Sequence, residues 1–113
     1  MSLTPQRIAA DICVSPQLMP EAMAEAAAQG FKAVINNRPD FEHGPGQPTS
    51  AEIQAAAEAA GLVYRHLPVA GGYQSPDEIA AFAALLAELP RPLLCFCRSG
   101  ARSTRLYQQA TAA

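Results

Sequence analysis

The sequence carries little charge, and almost none of it is lysine. Only 16% of its 113 residues are charged, the formal net charge is −2, and the basic residues are seven arginines and Lys32. A nucleic-acid surface needs a strongly basic face, so nucleic acid is not expected as a partner. Long apolar runs are also missing. None approaches the ~20 residues needed to cross a bilayer. The opening "MSLTPQRIAADICVSPQ" has no basic segment followed by an apolar one, so neither a membrane span nor a signal peptide is expected. Cysteine is limited to Cys13, Cys95 and Cys97. An odd count without an export signal points to reduced thiols in a bacterial-type cytoplasm. Cys95-x-Cys97 has no second Cys or His pair nearby, which makes a poor zinc site. No metal or other cofactor is expected.

Half of the residues are apolar, and a chain this long suits one compact domain, taken as 1–113. A domain of that size buries roughly two-thirds of its unfolded surface, enough for a core without disulfide or metal staples.

Strand and helix signals alternate. Short β-branched or apolar pieces occur at 12–15, 31–37, 62–69 and 91–97. Between them lie helical patterns at 20–30, 49–61 and 76–89, each opened by Pro, Thr or Ser and the first two closed by glycine. Thr49 or Ser50 is the expected N-cap of the second. In the third, Ile79, Phe82, Leu85, Leu86 and Leu89 fall at helical spacing. A last helix begins within "GARSTRLYQQA". The expected class is α/β, a mostly parallel sheet of four or five strands flanked by helices. Ligands of such folds sit beyond the carboxyl ends of the strands, which places the loops after Asn37, Val69 and Cys97 on one rim.

The stretch "LLCFCRSGARSTR" is the most informative on the chain. An apolar strand ends at Cys97, near a helix N-terminus, where the dipole and free N–H groups favour a thiolate. Gly100 lets the loop curl with its amides inward as an anion nest. Arg98, Arg102 and Arg105 cluster here, with Arg102 best placed to fork an oxyanion. The hydroxyl of Ser103 can reach the thiolate, and the backbone of Arg98, Ser99, Gly100, Ala101 and Ser103 forms the cradle. Cys95 and Cys13 read as buried small hydrophobes. Cys95 is ~6–7 Å from Cys97 along an extended strand, too far for easy disulfide geometry. Cysteine phosphatases enclose five residues between Cys and Arg, whereas sulfurtransferases of the rhodanese type commonly use a shorter loop. Here Cys97 and Arg102 enclose four.

"FKAVINNRPDFEHGPGQP", "AAAEAAGLVYRHLPV" and "CFCRSGARS" resemble, in order and spacing, the bacterial beta-lactamase-hydrolase-like, phosphatase-like domain family, also described as a sulfur transferase. The resemblance covers almost the whole chain from Val14. It implies a fold like that of dual-specificity tyrosine phosphatases, with a rhodanese-length loop. Members also occur fused to metallo-β-lactamase-like domains of the persulfide dioxygenase type. Against true phosphatases of this fold the sequence departs in three places. Phe96 replaces the usual His before the nucleophile, Ala70, Gly71 and Gly72 stand where the general acid Asp belongs, and the loop is one residue short. Phosphoester cleavage needs a proton for the leaving oxygen, worth about 10²–10⁴ in rate. A thiolate or sulfite leaving group needs none.

The reading is therefore a Cys97 sulfurtransferase acting on a small anionic substrate such as thiosulfate or a persulfide. A phosphatase working through a cysteinyl-phosphate on a phosphate ester is the alternative, and a non-catalytic anion-binding module a further one. Arg38 is a candidate second anion ligand, and Asp40 a candidate to orient an arginine or donate a proton; Asp77 is a more remote donor. Arg38 and Asp40 can equally form a capped turn. His66 is expected as a hydrogen-bonded core residue on a strand buried on both faces, His43 as a solvated loop residue, and Gln17 as a neighbour of the site.

Overall fold

A computed structural model describes residues 3–112. Five strands form one sheet: β1 (Gln6–Ala9), β2 (Ile12–Ser15), β3 (Ala33–Asn36), β4 (Val63–His66) and β5 (Leu93–Phe96). Four helices accompany them, α1 (Ala22–Ala28), α2 (Ser50–Ala59), α3 (Pro76–Glu88) and α4 (Ala101–Thr111). The sheet order is β1-β2-β5-β3-β4, parallel throughout except for the antiparallel β1–β2 hairpin. The α/β class and the mainly parallel sheet are as the sequence pattern implies. The hairpin partner β1 is an addition. "QRIA" has only two apolar residues and an exposed-to-intermediate burial pattern, so it lacks the apolar run that marked the other strands.

Alternation along the strands feeds two cores. Val34, Leu94 and Phe96 face Met23, Ala26, Ile53 and Ala57 of α1 and α2. Ala33, Ile35, Leu93 and Cys95 face Phe82, Leu86 and Leu106 of α3 and α4. The amphipathic spacing of α3 is thus spent on the second core. Both long connecting helices begin with a capping box, Thr49 with Glu52 and Ser75 with Glu78, which satisfies two otherwise orphaned N–H groups at each start. Thr49 rather than Ser50 is the cap.

The parallel register sets the rim. Ser15, Phe96, Asn36 and His66 lie in one row across the sheet, each the last residue of its strand. The chain beyond each strand therefore emerges at the same level. The strand is not buried on both faces as expected: β4 is an edge strand, Arg65 on it is exposed and His66 is half-buried. Its Nε2 lies 2.8 Å from the Arg38 carbonyl oxygen. Among the described residues no helix is long and apolar enough to cross a membrane.

Candidate functional site

Cys97 is the first residue past β5 and is 1% exposed. Gly100 turns the loop that follows into α4 with φ 94°, a left-handed conformation that a side chain would strain. The turn points the Gly100 N–H at Cys97 Sγ, 3.0 Å away. Burial works against ionising this thiol. It is outweighed by hydrogen bonds from the backbone N–H groups of Ser103, Ser99 and Gly100, with help from the Ser103 hydroxyl, and the Cys97 pKa falls below its ordinary value. Cys95 shows the opposite outcome in the same strand. Burial without compensating donors pushes its thiol up to about 12, so it stays protonated. Cys13 is also raised, by burial first and despite Arg7.

The Ser103 hydroxyl has one proton and two claimants. Its Oγ lies 2.9 Å from Asn37 Oδ1, and the Asn37 amide is oriented by its own Nδ2 donating to the Leu67 carbonyl at 3.0 Å. That fixed orientation assigns the proton to Asn37 at rest, and leaves backbone N–H groups as the main support of the thiolate. Asn37 is fully buried and also joins β3 to its neighbours, donating its N–H to the Phe96 carbonyl and accepting from the Val69 N–H. Nothing in its sequence context marks it apart from the adjacent Asn36. The Asn36 side chain makes different contacts, its Nδ2 donating to the Tyr64 hydroxyl at 3.0 Å. Its Oδ1 accepts the Arg38 N–H at 2.9 Å, a turn that starts the loop toward the site.

Arg102 lies in the first turn of α4 and is 7% exposed. Its Nη1 donates to the Val69 carbonyl at 3.0 Å. Two of the remaining guanidinium hydrogens meet Glu42, a residue that no sequence motif singled out. Glu42 takes Arg102 Nη1 on Oε2 at 3.1 Å and Arg102 Nη2 on Oε1 at 3.2 Å, while Arg38 Nε donates to Oε1 at 2.8 Å. Arg38 Nη1 also reaches Gln17 Oε1 at 3.0 Å. Arg38, Gln17, Glu42 and Arg102 thus form one polar cluster beside the Cys97 loop. Burial opposes ionisation of Glu42, but the hydrogen bonds and charges of Arg102 and Arg38 prevail and hold its carboxyl below the usual range. The one sequence signal for Glu42 is its place in a Pro/Gly-rich rim loop close to Arg38; no periodicity distinguishes it from Asp40.

Asp40 is placed elsewhere. Its Oδ1 accepts the Ser50 N–H at 2.7 Å and so holds the start of α2. Asp77 is exposed in the first turn of α3, and His43 is exposed. Arg98 and Ser99 are exposed, and the Arg98 carbonyl accepts the Gln17 N–H at 3.2 Å. Ala101 begins α4. Two clefts, of about 570 and 650 Å³, flank the Ser15–Pro16 side of the loop and are lined by neither Cys97 nor the two buried arginines. Gln17, which accepts from Arg38 Nη1, lines the second cleft, and Glu42 covers the guanidinium tips. Among the described residues no group of three or more His, Cys, Asp or Glu side chains is placed to hold a metal.

Gly71 has a steric role here. A Cβ on it would meet Arg102 Nη2 at 3.3 Å and Cζ at 3.7 Å. The expected result of Gly71→Ala is a displaced guanidinium and a fold that barely changes. Alkylation of Cys97 by anionic iodoacetate should fall about three- to tenfold relative to neutral iodoacetamide, given how steeply rates depend on sub-ångström placement. An unchanged ratio of the two rates would show that Arg102 does not guide the anion.

Residues 6–113 match the beta-lactamase hydrolase-like protein, phosphatase-like domain. The chain belongs to this family. A beta-lactamase hydrolase-like protein of Agrobacterium fabrum is 39% identical over 101 residues, which is 89% of this chain and 23% of that protein. The chain thus spans about a quarter of the length of the curated relatives it matches. Among solved structures, a protein of Neisseria meningitidis provisionally named a phosphatase is 31% identical, with a TM-score of 0.82 over 89% of this chain and 71% of that one. The core catalytic domain of the PP-IP phosphatase of S. cerevisiae shares 10% identity and a TM-score of 0.66, over 98% of this chain and 78% of that domain. The fold of the family member described here is that of the cysteine phosphatases.

Proposed function

We propose that this domain is a thiolate enzyme that moves sulfane sulfur through a persulfide on Cys97. The observation that carries the reading is the rim loop after Val69. Phosphatases of this fold keep a proton donor there, and this chain has Ala70, Gly71 and Gly72, with Gly71 packed against Arg102. The four-residue loop, whose amides converge on Sγ itself, supports the same reading.

With thiosulfate as donor, the Cys97 thiolate attacks the outer sulfur. A new S–S bond forms, the old S–S bond breaks, and sulfite leaves with the electron pair. No proton is required. An acceptor thiolate then attacks the bound outer sulfur and Cys97 returns as thiolate. The loop N–H groups stabilise negative charge on sulfur in both steps, and Arg102, helped by Arg38, binds the sulfonate end.

A second reading, phosphate monoester hydrolysis through a cysteinyl-phosphate, is favoured by the family's phosphatase relatives and by the Glu42 carboxylate at the arginines. To protonate a leaving alkoxide Glu42 would have to hold a proton, and both arginines keep it ionised. Sulfur transfer is for that reason placed first.

Intact-protein mass spectrometry after brief incubation with thiosulfate, glutathione persulfide or an aryl phosphate separates these. Sulfur transfer predicts a gain of ~32 Da on Cys97, absent in Cys97→Ser. Steady release of the phenol with no sulfur adduct would replace it by the phosphatase reading. No reaction with any of the three would leave an anion-binding module.

A further inference from the structure

Glu42 already does to the arginine pair what an anionic substrate is expected to do. Both of its oxygens are engaged, by Arg102 Nη1 and Nη2 and by Arg38 Nε. This is the two-pronged pattern by which guanidinium groups hold a sulfonate or phosphate. We propose that Glu42 is an internal stand-in for the substrate anion, and that a dianion binds by displacing it from Arg38 and Arg102. The proposal rests on the reading of Arg102 as the substrate's anion ligand.

Charge is the first argument. With Cys97 ionised, two arginines and two anions cancel, and the cluster offers nothing to attract a dianion. Once Glu42 withdraws, the arginines exceed the thiolate by one positive charge. A dianion that entered with Glu42 still in place would face two like charges at close range, an arrangement costly in a partly desolvated site.

Access is the second. The arginine side chains are 6% and 8% exposed, whereas that of Glu42 is 28% exposed. The acid therefore approaches from solvent and can return to it without opening the core. The arginines also keep partners when it leaves, Gln17 Oε1 for Arg38 and the Val69 carbonyl for Arg102. They stay aimed while their outward hydrogens become available.

The third is the hinge. Phe41, immediately before Glu42, has φ 61° and is 64% exposed. A left-handed conformation is disfavoured for an aromatic residue, and an exposed ring does nothing to hold it there. The flanks are tied down: Asp40 by the Ser50 N–H, His43 by Gln47 Oε1, and Gln47 in turn by the Pro39 carbonyl. Only Phe41 and Glu42 lie between these ties, with one backbone bond of their own, the Phe41 carbonyl accepting the Gly44 N–H at 3.2 Å, so the part that moves is short and swings about that turn.

Calorimetric titration of sodium thiosulfate tests this in the Cys97→Ser background, which blocks covalent capture. Adding Glu42→Gln should tighten binding about tenfold, the scale of one charge-assisted hydrogen bond. Equal or weaker binding would overturn the proposal and make Glu42 a positioning residue for Arg102, leaving the assignment of the site intact. Absence of binding to both proteins would remove the anion-site reading together with the proposal. A measurement on the unaltered protein guards against a poorly folded variant. As inorganic sulfate saturates the site, the amide resonances of Phe41, Glu42 and His43 should shift together with that of Gly100. A shift at Gly100 alone would mean that the anion enters without moving Glu42, against the proposal.

Discussion

Cys97→Ser should abolish turnover and adduct formation alike, by at least ~10³-fold, because removing the nucleophile of a covalent enzyme leaves only binding and cradle contributions. The substitution is nearly isosteric at a position 1% exposed, so the fold is expected to survive. Neither remaining cysteine can substitute. Cys95 is fully buried with its thiol pushed up to about 12, and Cys13 is raised as well. In the unaltered protein, alkylation at neutral pH should therefore consume one thiol quickly and two slowly. The fast one must disappear in the serine variant. The pH dependence follows from the direction of the shift: the thiolate is the reactive form, and a lowered pKa moves the midpoint of the Cys97 rate profile below that of an ordinary cysteine. Two thiols reacting at equal rates, or turnover persisting in the serine variant, would remove Cys97 from the chemistry.

Much of this site is legible in the sequence, and the reason is local. Cys97, Gly100, Arg102 and Ser103 lie within seven consecutive residues, so a strand end, a left-handed turn and a helix start are enough to bring them together. The parallel register then carries Asn37 and Arg38 to the same level as Cys97. What the sequence does not disclose depends on contacts across the rim. Glu42 reaches Arg102 sixty positions away. Its loop has no periodicity to fix which carboxylate turns inward, and Asp40, the residue favoured by motif, is spent on the Ser50 N–H. Asn37 is hidden for a related reason: its polar side chain sits in a row of buried residues, and only the placement of Ser103 and Leu67 shows what satisfies it. The edge position of β4 and the β1 hairpin also escape, since strand order is not encoded in strand pattern.

Arg102→Lys should separate recognition from reactivity. Lysine keeps the charge but cannot fork, and its single ammonium cannot serve Val69 and both oxygens of Glu42 as the guanidinium does. Loss of this placed electrostatic contact is expected to cost about 10²–10³ in turnover of an anionic substrate. The iodoacetate rate at Cys97 should fall relative to the iodoacetamide rate. The rate with neutral iodoacetamide should hold within about twofold, because the Cys97 thiolate is supported by the N–H groups of Ser103, Ser99 and Gly100 and not by an arginine. Arg38 still holds Glu42 through Nε at 2.8 Å, so the rim loop keeps its anchor and the lesion stays confined to anion binding. A parallel drop in the iodoacetamide rate would mean that the charge of Arg102 sustains the thiolate, and recruitment and ionisation would then be one function of one residue. An unchanged ratio of the two rates would instead shift anion recognition to Arg38 or Arg98.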